Sequence, residues 1–381
     1  MDPPHGFGIW MLCILSGWPG GPPGRLLNGD AWVQIAPVQK GSGVCQDIRP
    51  GIDITFHLYR FYDGHDAEDY KILITYDKEN LTAAGINPDY PTVFYAHGYL
   101  AGPDSIESRT IRRAYAARGG YNFVTVGWRP LAGGPFYHSA VENVGPLGYQ
   151  IAQMLDFMEK NAGPLKDLHL IGNNLGAHAM GVAARRTYVV RVPRITGFDP
   201  AMANISNFPL EQRLDPGDAY FVDVIDTDSP SEKRPHDFGH ANFYISRAKP
   251  TKCHVPRILR FPSNYYRRAF CGHGRAFEVY ARSVLHENAF PAMHCASYTA
   301  FRQGLCRDPS EAVPMGFKAP NSARGNYFLF NEKQLFGLGN ALGAQQTSNQ
   351  IGLRRSAPPT SASTNGYLVK QIQDFLGFQR A

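Results

Sequence analysis

Apolar residues recur along this chain with two different periods. Short runs at 53–59, 70–76, 92–96, 122–127, 168–172, 194–198 and 220–226 are rich in β-branched and aromatic residues and read as strands. Between them, 140–160 carries Ile151, Leu155 and Met158 at helical spacing, and 175–188 forms a second helix. Strands alternating with helices predict an α/β fold, with a mostly parallel central sheet and helices on both faces. A further strand at 327–330 closes this domain, which spans 51–336.

Both ends break the pattern. An apolar run from Phe7 to Leu15, followed by small and turn-forming residues, is too short to cross a bilayer. It reads as a signal peptide over 1–17, although Asp2 is acidic and no Lys or Arg precedes the run. Residues 18–50, rich in Gly and Pro, form a poorly ordered lead-in. Residues 337–381 form a flexible tail ending in a short amphipathic helix that carries Leu368, Ile372, Phe375 and Leu376.

Composition narrows the partners. The chain is 43% apolar and 18% charged, which is globular, and its formal charge of +6 over 381 residues is mild. That balance favours anionic surfaces such as lipid headgroups or glycans, and no nucleic-acid partner is expected. Signal cleavage removes Cys13. Of the cysteines left, Cys253 lies near Cys271 and Cys295 near Cys306, and local bridging of these pairs is the economical arrangement in an oxidising compartment. Cys45 then has no assigned partner. Sequons at Asn80 and Asn204 agree with export, and the expected location is extracellular.

The segment carrying chemistry runs from Asp167 to Gly181. It reads strand, Gly172, Asn173, Asn174, Leu175, Gly176, helix. That is the layout of a nucleophile elbow, G-x-S-x-G, in which small residues flank a strained turn that pushes the central side chain outward. Here the central residue is Asn174. Further along, Asp199 ends a strand and His273 follows Cys271, so the nucleophile position, an acid and a base occur in the chain order of α/β-hydrolases.

With His97-Gly98-Tyr99, Gly127-Trp128, the run from Arg213 to Ile225, and Gly239-His240 before Phe243-Tyr244, the chain resembles the secreted neutral lipase family. That family comprises pancreatic and lipoprotein-type lipases, related phospholipases and lipase-related insect yolk proteins. The resemblance runs from about Asp53 to Asn331 and implies an α/β-hydrolase fold. It implies Asp199 as triad acid, His273 as general base, and the backbone N–H groups of Tyr99 and Leu175 as oxyanion hole. Asn174 stands where the family has serine. A carboxamide has no ionisable hydroxyl, so His273 cannot activate it for acyl transfer. Asp199 and His273 are then a retained, vestigial pair, with Asn174 able to hydrogen-bond His273. The chain departs from the family twice more, with Gly127 before Trp128 where Asp is usual and Asp226 where His is common. His97, His178 and His240 read as framework histidines.

The resemblance carries two more expectations. Arg213, Asp215 and Asp218 match an oxygen ligand set that some members use for a structural calcium ion, and no cofactor is otherwise required. The loop between Cys253 and Cys271 matches the family's lid. It mixes Ile258, Leu259, Phe261, Tyr265 and Tyr266 with Arg257 and further arginines, a composition suited to lipid, an anionic membrane surface or a sulfated glycan. Only residues 332–381 follow Asn331, so no docking through a pancreatic-type C-terminal β-sandwich is expected. The expected function is that of an inactive lipase homologue binding a lipid or acyl-ester ligand outside the cell. An active carboxylic ester hydrolase is the alternative, and a polyanion or receptor binder acting through the basic lid is a third.

Overall fold

Strand register decides which loops this fold gathers together. A computed structural model describes residues 49–62, 66–132, 137–188, 191–201, 210–227, 238–245, 276–306 and 311–329, and the structural statements below concern these. The strands are β1 (Thr55–Arg60), β2 (Tyr70–Leu73), β3 (Thr92–Ala96), β4 (Asn122–Gly127), β5 (His169–Asn173), β6 (Arg194–Phe198), β7 (Phe221–Asp226), β8 (Ala241–Ile245), β9 (Pro291–His294), β10 (Val313–Pro314) and β11 (Gly325–Leu329). They form one 11-stranded sheet in the order β10-β9-β11-β8-β7-β6-β5-β3-β4-β1-β2. From β4 to β11 every pairing is parallel, while β1, β2, β9 and β10 add antiparallel edges.

The helices are α1 (Lys78–Ala84), α2 (Ile106–Arg118), α3 (Arg129–Ala132), α4 (Tyr137–Glu142), α5 (Val144–Ala162), α6 (Leu175–Arg186), α7 (Ala276–Leu285) and α8 (Tyr298–Arg302). Alternation along the strands builds two cores. Phe94, Val124 and Leu170 face the layer of α5 and α6, whereas Tyr95, Phe123 and Ile171 face α2 and α7. The central strands are buried on both faces, which is why they read as continuous apolar runs rather than alternating ones. This is the α/β-hydrolase architecture expected from the sequence.

Several boundaries shift by one or two residues, and three differences have a clear physical cause or consequence. The helix predicted over 140–160 is two helices, because Asn143 interrupts it and donates from Nδ2 to the Leu131 carbonyl (3.1 Å). Pro146 then sits in the first turn of α5, where its missing N–H costs nothing. The strand predicted to reach Tyr76 stops at Leu73, since Asn80 takes over its ladder: the Ile74 N–H donates to Asn80 Oδ1 (2.9 Å) and Asn80 Nδ2 donates to the Ile72 carbonyl (3.0 Å). The last strand begins two residues early, at Gly325, and pairs with β8. Cys295 and Cys306 form the expected disulfide. Cys45, Cys253, Cys271, Asn204, the signal-like run and the tail after 329 lie outside the described residues.

Under the sheet, Arg194 and Asp223 form a buried ion pair at 2.8 Å. Asp223 also accepts from Thr196 Oγ1, while Arg194 donates to the carbonyls of Gly316 and Phe317 and so ties β6 to the segment leading into β11. Breaking one member of such a pair strands the other charge in a low-dielectric interior. Asp223→Ala is therefore expected to lower the free energy of unfolding by ~3–5 kcal/mol, read from urea denaturation midpoints.

Candidate active site

Parallel strands whose order reverses leave a crevice beyond their carboxyl ends, and here the reversal lies between β3 and β5. The loop after β3 carries His97, Gly98 and Tyr99. The turn after β5 carries Asn174, and the end of β6 carries Asp199. β5 and β6 are in register to Asn173 opposite Phe198, so Asn174 and Asp199 leave adjacent strand ends side by side. Four of the residues singled out from sequence, Tyr99, Asn174, Leu175 and Asp199, thus gather at one rim of the sheet.

The turn is strained as an elbow requires. Asn174 has φ 54° and ψ −113°, outside the region a β-substituted residue prefers, and its N–H donates to the Phe198 carbonyl at 2.9 Å. Two glycines make the geometry fit. A Cβ on Gly172 would lie 2.4 Å from the Ala177 nitrogen, and one on Gly176 would lie 2.4 Å from the Ala96 carbonyl oxygen. Leu175 opens α6, so its N–H belongs to the unshared first turn of the helix. Asp199 also has positive φ, 39°. Its carboxylate is buried and accepts from the Thr227 N–H (2.6 Å) and Thr227 Oγ1 (2.8 Å).

The loop after β3 is fastened from beneath. Trp128 N–H donates to His97 Nε2 (3.1 Å), so the ring proton sits on Nδ1 and is donated to the Gly98 carbonyl (3.0 Å). Trp128 Nε1 also donates to the His97 carbonyl (2.9 Å). Burial pushes His97 down to about 3, which keeps it neutral. His178 is likewise a buried framework residue: it accepts from the Leu214 N–H and donates from Nε2 to the Ala201 carbonyl just beyond Asp199. His240 accepts from the Val222 N–H through Nδ1. Tyr99 packs edge-on against Tyr137, with ring centroids 5.0 Å apart, and both rings rest partly buried on the core.

Two side chains with no motif around them matter as much. Glu107, in the first turn of α2, accepts from the Gly98 N–H at 2.9 Å and from Asn173 Nδ2 at 2.7 Å, clasping the loop after β3 to the end of β5. Arg185, near the end of α6, reaches the loop containing Arg213, Asp215 and Asp218. It donates to both Asp218 oxygens and to the carbonyls of Leu210 and Arg213. Burial raises Asp218 to about 6 despite this partner. The calcium-type residues lie at the far end of α6 from the elbow and take no part in it. His273 and the lid residues Arg257, Ile258, Leu259, Phe261, Tyr265 and Tyr266 lie outside the described residues.

Two expectations follow from this geometry. Asn174→Gly and Asn174→Ala both remove the carboxamide, but only glycine accepts the turn without strain. The glycine variant should be the more stable of the two by ~1–2 kcal/mol in chemical denaturation. His97 binds a proton at pH 6 in the unfolded chain but not in the folded one. Its contribution to stability is therefore complete above pH 6.5 and declines as pH falls toward 3. His97→Gln should remove about 1.4 kcal/mol per pH unit from the slope of stability across that window.

Comparison with known proteins agrees with the architecture. A family model described as Lipase matches residues 38–334. Human pancreatic lipase-related protein 2 is 32% identical over 302 residues, covering 74% of this chain and 63% of that protein. Human inactive pancreatic lipase-related protein 1 is 30% identical over 282 residues, covering 70% of this chain and 60% of that protein. Among solved structures, Est1E from Butyrivibrio proteoclasticus aligns over 61% of this chain and 93% of its own, with 10% identity and a TM-score of 0.30. The aligned region spans about three fifths of the length of these two human relatives. The chain belongs to the lipase family.

Proposed function

We propose that this protein is a lipase-family member without ester hydrolysis that holds a lipid or acyl-ester ligand in the crevice between β3 and β5, in the extracellular space. One observation carries the reading: the residue at the apex of a correctly strained elbow is Asn174. Acyl transfer needs a nucleophile that a base can deprotonate as it attacks, and the amide nitrogen lone pair is delocalised into its carbonyl. Oxyanion donors and binding alone leave about 10³-fold acceleration over water, negligible beside a complete triad.

Several features support a retained ligand. The glycines that shape the turn, the Glu107 clasp and the packing of Tyr99 on Tyr137 support a crevice that takes an acyl ester. Pancreatic lipase-related protein 2 and a relative named inactive both align with this chain, so the family includes a member named as inactive. Export is supported by the apolar run at Phe7–Leu15 and by the Cys295–Cys306 disulfide, a bond that persists in oxidising compartments. Among the described residues no helix is long and apolar enough to cross a membrane. A carrier, storage or interaction role fits this combination.

The test compares the wild type with Asn174→Ser on short- and long-chain glycerides. The wild type is expected to be silent and the serine variant to turn over. Its turnover should disappear when His273→Ala is added, and lipid extracted from the purified wild type should contain acyl esters or fatty acids. Wild-type turnover lost in His273→Ala would replace this reading with that of an active carboxylic ester hydrolase. Silence of both proteins, with no lipid recovered, would remove the crevice from the function.

A further inference from the structure

The loop 210–218 carries oxygens of the kind a hard cation takes: the carbonyls of Leu210 and Arg213 and the carboxylates of Asp215 and Asp218. Calcium in such a site takes six to eight oxygens at about 2.3–2.6 Å. The oxygens here are already committed. Arg185 spends four of its five guanidinium hydrogens on them: Nε on Asp218 Oδ1 (2.6 Å), Nη2 on Asp218 Oδ2 (3.0 Å) and on the Arg213 carbonyl, and Nη1 on the Leu210 carbonyl. Asp215 is turned elsewhere, with Oδ1 accepting from the Gly217 N–H while Asp218 Oδ2 accepts from the Asp215 N–H, a reciprocal cap on a single helical turn. A divalent ion among these oxygens would sit against the guanidinium. The residues present do not fit it while Arg185 is in place.

We propose that Arg185 is the resident cation of this loop, taking the place of the divalent ion that the Arg213, Asp215 and Asp218 pattern implies, and that the fold is held without calcium. A guanidinium suits the task because its planar fork meets a carboxylate through two parallel N–H bonds and remains charged throughout the accessible pH range. The Asp218 side chain is almost fully enclosed, 1% exposed, and needs a positive partner. The surrounding backbone is shaped for a partner delivered by α6. Gly181 lies one turn before Arg185, and a Cβ there would fall 2.5 Å from Asp218 Oδ2 and 3.0 Å from Leu214 Cα. His178, seven residues before Arg185 on the same face, takes the Leu214 N–H and gives its own proton to the Ala201 carbonyl. Through Arg185, Gly181 and His178, the elbow helix is stitched along its length to the loop 210–218 and to the segment that follows Asp199.

The experiment measures thermal unfolding of the full secreted chain, with EGTA and with millimolar calcium, for the wild type, Arg185→Met and Arg185→Lys. The wild-type Tm is expected to be the same in both conditions. Arg185→Met should melt several degrees lower in EGTA, because Asp218 is then buried without its partner. Calcium should recover part of that loss in the variant, since the four oxygens are released to the ion. Arg185→Lys keeps the charge on fewer donors and should melt between the two in EGTA, so it reports on the site even if the methionine variant fails to fold. A wild-type Tm that rises with calcium, and no longer does so in Asp218→Asn, would overturn the proposal. An Arg185→Met protein as stable in EGTA as the wild type would overturn it equally.

Discussion

The closeness with which α6 lies on the sheet is the constraint from which the rest follows. At Gly172 and Gly176 the distance from an added Cβ to the nearest backbone atom would be 2.4 Å, well inside contact. Those two positions let the helix begin directly against the ends of β3 and β5, and the turn between must then bend through a conformation ordinary residues avoid. Gly98 extends the same economy to the neighbouring loop, where a Cβ would come within 3.0 Å of Asn174 Cβ. Backbone is thus packed on backbone around one point. His97, Trp128 and Glu107 hydrogen-bond that point in place rather than fill it.

This separates the shape of the site from its reactivity. Nothing that bends the turn depends on what the apical side chain can do: the glycines, the register of β5 with β6 and the Asn174 N–H bond to Phe198 all act through the backbone. Asparagine is among the residues that tolerate positive φ best. The backbone here can therefore carry a hydroxyl or a carboxamide at this position and keep the same turn, the neighbouring carboxylate and the loop after β3.

Much of this was legible in the sequence because the relevant signals are local. The runs at 92–96, 122–127 and 194–198 match β3, β4 and β6 residue for residue, since each is a compact apolar run with a polar residue, Thr92, Asn122 or Arg194, at the entering end. The histidines were read as framework residues, and His97, His178 and His240 are so bonded. Edges were harder. β9 and β10 are short and carry proline, so periodicity cannot reveal them. The division at Asn143 depends on a carbonyl that arrives from Leu131 through the fold. Glu107 and Arg185 were invisible for a related reason: each is an ordinary charged residue on a helix, and its meaning comes entirely from the loop it meets. The ligand set at Arg213, Asp215 and Asp218 was visible as a pattern, but the guanidinium lying among those oxygens comes from a different element.

One consequence concerns the sheet's outer edge. β2 is short, mostly exposed and lies at one end of the strand order, so its outward N–H and C=O groups would ordinarily invite another strand to add there. The Asn80 carboxamide meets that edge as a strand's own peptide group would, accepting from Ile74 N–H and donating to the Ile72 carbonyl. Helix α1, capped by Asp77 at its start and by left-handed Gly85 at its end, holds the amide there. A side chain imitating one peptide unit thus ends the ladder and guards the sheet against growing edge to edge into a neighbouring copy.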